Sequence, residues 1–196
     1  MSFLLSTSRL VLRDWQDSDL EPWVAMNADA MVRRYFPTIA SREQAIVEMQ
    51  RFREHGERHG FTLWPLEIPG QTAFAGVVGL FRTPIEAHFT PCVEIGWRLA
   101  IPYWGQGYAT EAARLALQYG FDTLQLAEIV ALTAADNQPS RAVMARIGMQ
   151  HNAADDFDHP RVADGHPLKR HVLYRIQHRD WCNPFMKHAT ESGHST

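Results

Sequence analysis

Apolar and polar positions change period several times along this chain, and each change marks an element. Leu5 to Arg13 reads as a first strand. Ser18-Asp19-Leu20-Glu21 then has the Ser-x-x-Glu form of a capping box, and Leu20, Trp23 and Val24 give the following helix an apolar stripe that fades near Asn27. Ser41-Arg42-Glu43-Gln44 is a second capping box. It opens a helix with Ala45, Ile46 and Met49 on one side, which the spacing ends by Gly60. Phe61 to Ile68 and Ala73 to Phe81 are rich in apolar and aromatic residues and flank Pro69-Gly70, which predicts an antiparallel hairpin. Cys92 to Leu99 alternates Val93, Ile95, Trp97 and Leu99 with smaller or polar residues, the pattern of a strand with one buried face. Ala112, Leu115, Ala116 and Tyr119 recur at helical spacing, which carries a helix to about Phe121. Glu128 to Ala134 predicts a strand, Pro139 to Arg146 a helix, and Lys169 to Ile176 a strand with Val172, Tyr174 and Ile176 on one face. Residues 187–196 read as a disordered tail.

This order of elements makes an α/β sandwich with a mixed sheet. The length of 196 residues suits one domain with its own core, taken as residues 1–186. No linker, repeat or low-complexity run divides it. A net charge of −3 leaves no basic footprint, so nucleic acid is not expected as a direct partner. The N-terminus lacks a charged, apolar, cleavable leader, and no apolar run approaches a membrane span, so the expected location is cytoplasmic. Cys92 and Cys182 form no disulfide framework, and a lone buried cysteine is more often a packing residue than a nucleophile.

The stretch Pro102 to Ala112 joins a strand to a helix through Gly105 and Gly107. Without side chains, these glycines let an anion approach the peptide N–H groups, and the first helical turn adds unpaired donors and the positive end of its dipole. Strand, glycine turn and helix in this order can cradle a pyrophosphate. The competing reading is a strand-to-helix turn with no ligand. A dinucleotide-binding fingerprint would need a third glycine where Thr110 stands, which disfavours a nicotinamide-dependent oxidoreductase, and no Gly-Lys-Ser/Thr supplies a P-loop.

Trp104-Gly105-Gln106-Gly107-Tyr108-Ala109 resembles motif A of the GNAT superfamily of acyl-CoA-dependent N-acetyltransferases. The longer run from Tyr103 through Thr110, Glu111 and Ala112 is similar to the branch that acetylates ribosomal-protein N-termini. Thr7-Ser8-Arg9-Leu10-Val11-Leu12-Arg13, Val93-Glu94-Ile95-Gly96-Trp97, and Asn137-Gln138-Pro139-Ser140 leading to Ile147-Gly148-Met149 match the same branch in order. The resemblance spans roughly residues 6 to 181. It implies that Val93–Leu99 and Glu128–Ala134 run parallel and splay apart, with the pantetheine arm of acetyl-CoA along Ile95, Trp97 and Leu99 like an added strand. It also implies that Trp104 to Thr110 hold the pyrophosphate, that Asn137 touches the arm and that Ser140 lies near the sulfur. The superfamily's usual tyrosine acid falls on Met144.

The chemistry implied is attack of an amine on a thioester. A thiolate near pKa ~8.5 leaves with little help, whereas an α-amine near ~7.8 or a lysine near ~10.4 must first lose a proton. Glu94 is the candidate base, on an apolar strand whose desolvation would raise its pKa. The alternative is an ion pair with Arg98 on the same face, and Gly96 between them suits a bulge or a close backbone approach. Ser140 is the candidate acid, with helix capping by Asn137 as the plain alternative.

Other features weigh less. His55-Gly56-Glu57-Arg58-His59 lacks the glutamate placement of a zinc helix, so no metal is expected there. Trp15, Trp23, Trp64 and Trp97 read as core, and Trp104 and Tyr108 as flanking the coenzyme. Asp155, Asp156 and Asp158 beside His159 read as a solvated loop, or as an acidic rim that draws a cationic acceptor. The function expected is metal-free, direct acetyl transfer from acetyl-CoA to a primary amine on a protein N-terminus or small molecule, by a monomer or homodimer. The alternative is an acyl-CoA-binding module that has lost turnover.

Overall fold

The structure is a computed structural model and describes residues 3–181. The expected tail and Cys182 lie outside them. Among the described residues nine strands form a single sheet in the order β1 (Leu4–Ser6), β2 (Val11–Arg13), β3 (Leu63–Ile68), β4 (Thr72–Arg82), β5 (Val93–Leu99), β6 (Glu128–Ala134), β9 (Arg170–Gln177) and β7 (Gln150–His151). The short β8 (Phe157–Asp158) pairs with β9. All neighbours are antiparallel except β5 and β6. Among the described residues four α-helices complete the fold: α1 (Leu20–Ala28), α2 (Arg42–His59), α3 (Tyr108–Gln118) and α4 (Gln138–Arg146). No helix among the described residues is long and apolar enough to cross a membrane.

The alternation of β4 divides the core between the two faces. Val78 and Leu80 join Ile95, Ile129 and the alanine-rich side of α3 (Ala112, Ala113, Ala116) on one face. Val77 and Phe81 turn the other way, towards Trp23 of α1 and Met49 and Phe52 of α2. A strand buried on both faces reads as an almost continuous apolar run, as β4 does. Helix α2 starts where its capping box predicts: the Ser41 hydroxyl accepts from the Gln44 N–H at 3.2 Å while the Gln44 side chain accepts from the Ser41 N–H at 2.9 Å. It ends at Gly60, whose φ of 76° is left-handed. Trp23 and Trp64 are core, while Trp15 is partly buried and donates to the Leu63 carbonyl at 2.9 Å.

Two local expectations are corrected. Leu5 to Arg13 is not one strand but the hairpin β1–β2, with Leu4 opposite Arg13 and Ser6 opposite Val11, and Thr7 to Leu10 form its turn. The Thr7 hydroxyl accepts from the N–H groups of Arg9 and Leu10, which folds the chain back where periodicity alone continues it. The Ser18 capping box does not form either. Asp19 is the residue that reaches back, accepting from the Gln16 N–H at 2.8 Å.

Asp19 has a larger task as well. Its two oxygens accept from both terminal nitrogens of Arg13 at 2.8 Å, and the two side chains are only 2 % and 8 % exposed. Arg13 also donates to Glu67 at 3.1 Å and to the Ala73 carbonyl at 2.6 Å, so it ties β2, β3 and β4 to the start of α1. Removing one partner strands a buried charge, so Asp19→Ala is expected to cost about 3–5 kcal/mol in urea unfolding. A change within the small range of surface substitutions would show that Arg13 is held by its other acceptors alone.

Candidate active site

Strands β5 and β6 are in register at one point, Glu94 opposite Val130, and separate beyond it. On its other side β5 keeps an unbroken antiparallel ladder with β4, from Arg82–Val93 to Gly76–Leu99. Past Glu94 one edge of β5 therefore faces a cleft. Ile95, Gly96, Trp97, Arg98 and Leu99 all lie on its wall, together with Thr133, Asn137 and Ser140 from the far side. The cleft has a volume of about 1490 Å³.

At the end of β5 the chain makes a short 3-10 turn, Ile101–Tyr103, and enters α3 through Gly105 and Gly107, whose φ angles are 73° and 81°. Both are conformations that L side chains rarely adopt. A Cβ on Gly105 would meet nothing within 4 Å, and one on Gly107 only Arg9 at 3.8 Å. The glycines thus face open space on the cleft wall, beside the backbone donors of Tyr108, Ala109 and Thr110 at the helix start. Trp104 is more than a flank: its indole N–H donates to the Leu99 carbonyl at 2.7 Å and pins the turn to the strand end. Tyr108 is buried on the wall beneath the Arg9 guanidinium, and its hydroxyl donates to Gln71 at 3.3 Å. The Gln106 amide folds back to the Pro102 carbonyl at 2.8 Å, and the residue is not part of the wall.

Asn137 caps α4 by accepting from the Ser140 N–H at 3.3 Å. Its amide nitrogen donates to the Thr133 hydroxyl at 2.8 Å and to the Ser140 hydroxyl at 3.0 Å. Ser140 Oγ is therefore an acceptor in this network, and its own proton is left for a group in the cleft. Met144, in the tyrosine position, is buried and brings no hydroxyl.

Burial pushes the Glu94 carboxyl up from 4.5 to about 7, against a smaller opposing effect of its hydrogen bond with Thr83. The proposed ion pair with Arg98 is not made: Arg98 donates to Glu48 at 3.0 and 3.3 Å, and to Asn27. Gly96 makes no bulge, since the β4–β5 ladder runs through it, and a Cβ there would lie at an ordinary 3.5 Å from the Leu63 side chain. The acidic rim is corrected too. Asp155 pairs with Arg175 at 3.0 Å, Asp156 with His151 at 2.7 Å and Asp158 with Arg170 at 3.4 Å, and none of the three lies on the cleft wall.

His55 is a structural staple. Its Nδ1 donates to the Phe61 carbonyl at 2.7 Å and its Nε2 accepts from the Arg82 N–H at 3.1 Å. Burial pushes it down to about 4. Burial also pushes the Cys92 thiol up to about 11, far from a nucleophilic thiolate.

Residues 9–150 match the acetyltransferase (GNAT) domain family. The chain belongs to the GNAT acetyltransferases. YoaA, an uncharacterized N-acetyltransferase of Bacillus subtilis strain 168, is 31% identical over 150 residues, covering 75% of this chain and 82% of the relative. The crystal structure of a GNAT-family acetyltransferase from Bacillus anthracis superposes with a TM-score of 0.73 at 24% identity, over 90% of this chain and 99% of the other. RimL, a ribosomal L7/L12 alpha-N-protein acetyltransferase, also gives 0.73 at 16% identity, over 90% and 95%.

GNAT acetyltransferases use acetyl-CoA, and the residues present suit it. The open edge of β5 offers backbone partners to an extended pantetheine arm, and the turn offers peptide donors with no Cβ in the way. Sequence reasoning missed two parts of this GNAT site. Glu111, in the first turn of α3, accepts from the Thr7 hydroxyl at 2.5 Å and from Nε of Arg9 at 2.8 Å, so the β1–β2 turn clamps the cradle from outside. The His159 and His171 rings lie 4.7 Å apart, tilted by 45°, on the cleft wall. Burial lowers both and brings His171 to about 4, so they face the cleft as neutral rings. A Thr-x-Arg in the first turn and a Glu in the α3 start were visible signals for the clamp. Nothing local marks the histidine pair.

Two outcomes are expected. Gly107→Asn, which tolerates a left-handed backbone but fills the cradle, should weaken coenzyme A binding about ten-fold or more in calorimetry. Unchanged affinity in the folded variant would remove the turn from the site. The raised Glu94 pKa makes a contribution to stability that is present below pH 4.5 and is lost as pH rises through about 7. Glu94→Gln should therefore gain stability over the parent as pH rises through that window and match it in acid, which denaturation at several pH values will read.

Proposed function

We propose that this GNAT protein transfers the acetyl group of acetyl-CoA directly to a primary amine, on a protein N-terminus or a small molecule. Glu94 serves as proton acceptor and Ser140 as hydroxyl donor. The observation that carries this reading is that Glu94, with its carboxyl at about 7, sits where β5 and β6 part, on the same cleft wall as Ser140.

Acetyl-CoA supplies the activated acyl group when bound, and this chain does the rest. The β5 edge at Ile95, Trp97 and Leu99 and the turn from Trp104 to Thr110 orient it, with Asn137 at the mouth of the split; the Gln106 contribution is its backbone. Glu94 is half ionised near neutral pH and so takes the ammonium proton of an acceptor without a large mismatch in basicity. Ser140, held by Asn137 with its proton free, donates to the departing sulfur, which asks little of an acid. Burial keeps His171 neutral beside this path, so it adds no competing charge.

Thiol release from acetyl-CoA across a panel of amines is the test. The parent rate should rise with pH through about 7, and Glu94→Gln should lose that limb, with a larger loss for amines of high pKa. An equal loss at every pH and for every amine would rule out Glu94 as base. Ser140→Ala should cut turnover about ten-fold to a hundred-fold with little change in melting temperature, because the cap is made by the Asn137 side chain and the Ser140 backbone. Acetyl-CoA binding with no thiol release on any amine would return the chain to the binding-module reading.

A further inference from the structure

A smaller pocket of about 250 Å³ opens beside the cleft and shares Glu94, Gly96, Arg98 and Phe36 with it. Its charged lining is Arg51, Arg98 and Arg161 against Glu48 and Glu94. Glu48 is already committed to Arg98 at 3.0 Å and faces Arg33 at 3.9 Å, so two guanidiniums share one carboxylate. Asn27 Oδ1 accepts from both arginines. The crowding shows in Arg33, which burial and the neighbouring Arg98 push down to about 10.

Arg98 is only 10 % exposed, sandwiched between the Trp23 and Phe36 rings at 5.1 and 4.5 Å, and its Nε is buried without a hydrogen-bond partner. Arg51 lies 5.7 Å from the Phe81 ring and is a third guanidinium drawing on the Glu48 carboxylate, while Arg161 donates to the neutral Pro84 carbonyl, so positive charge outweighs negative on this lining. The carboxylates of Asp155, Asp156 and Asp158 lie on neither lining and are paired with Arg175, His151 and Arg170. An ammonium approaching Glu94 therefore enters a field of net positive charge. The approach is favoured only if the acceptor brings an anion of its own to the guanidiniums.

We infer that the acceptor carries a carboxylate-type oxyanion apart from its amine, received in this side pocket by Arg98, Arg51 and Arg161. This rests on the acetyl-transfer reading above, and it names the class of amine that reading leaves open.

The test compares matched amines on the coenzyme A-loaded protein by calorimetry: β-alanine against propylamine, and seryl dipeptide amides ending in glutamate or in glutamine. The anionic member of at least one pair should bind about ten-fold more tightly, as expected for charge-assisted hydrogen bonds. A preference in the first pair points to a free amino acid as source, and in the second to a peptide N-terminus. The double variant Arg51→Gln/Arg161→Gln, at exposed positions of the pocket lining, should bring the two members of that pair together. Equal or tighter binding of the neutral members, or a preference that survives in the double variant, overturns the inference. Thiol release from acetyl-CoA with the same amines, measured in separate samples free of added coenzyme A, separates the two claims. A binding preference without release overturns acetyl transfer but keeps the side pocket as an oxyanion site, whereas release without a preference overturns only the latter.

Discussion

Everything at the site follows from β6 leaving β5 after one paired position. A parallel pair that stayed together would satisfy the backbone of Ile95 to Leu99 within the sheet and would leave no place for an acyl donor. Because the strands part at Glu94 and Val130, a sheet interior is opened to a ligand without exposing an outer edge. The same divergence sets the environment of Glu94. It stands at the fork, covered well enough to lose hydration yet still on the cleft wall. Geometry and acidity thus have a common origin.

The two sides of β5 have different duties. The face of Val93 and Ile95 packs against α3 and fixes the direction in which the glycine turn delivers the helix N-terminus. The face of Glu94, Gly96 and Arg98 looks towards α1 and α2, where the arginine and glutamate cluster lies. One strand therefore presents an open edge to the cleft and a charged face to the helices.

Local signals were legible in the sequence and long-range ones were not. Strand β6 and the hairpin β3–β4 follow from period and turn residues, and the α2 capping box is complete within four residues, Ser41 to Gln44. The glycine turn could be assigned because its requirement is local: a left-handed backbone with nothing attached. The pairing of Arg98 could not, because Glu94 is its neighbour on the strand whereas Glu48 comes from a helix that only the folded packing brings close. The acidic run at Asp155 misled for the same reason, since its partners Arg170 and Arg175 lie on β9 and become visible only once that strand is placed. The β1–β2 hairpin was read as one strand because a turn made by a threonine hydroxyl leaves the apolar period almost undisturbed.

The clamp of Thr7 and Arg9 on Glu111 has a meaning for the order in which this protein assembles. Its hydrogen bonds join residues 104 and 102 positions apart. Contacts of such separation close slowly, since the chain between them must be ordered first. The glycine turn can form with its own strand and helix, but its outer wall awaits the return of the first hairpin. The glycine turn is thus closed late by a hairpin distant in sequence, and any change at that hairpin is felt at a helix start half a chain away.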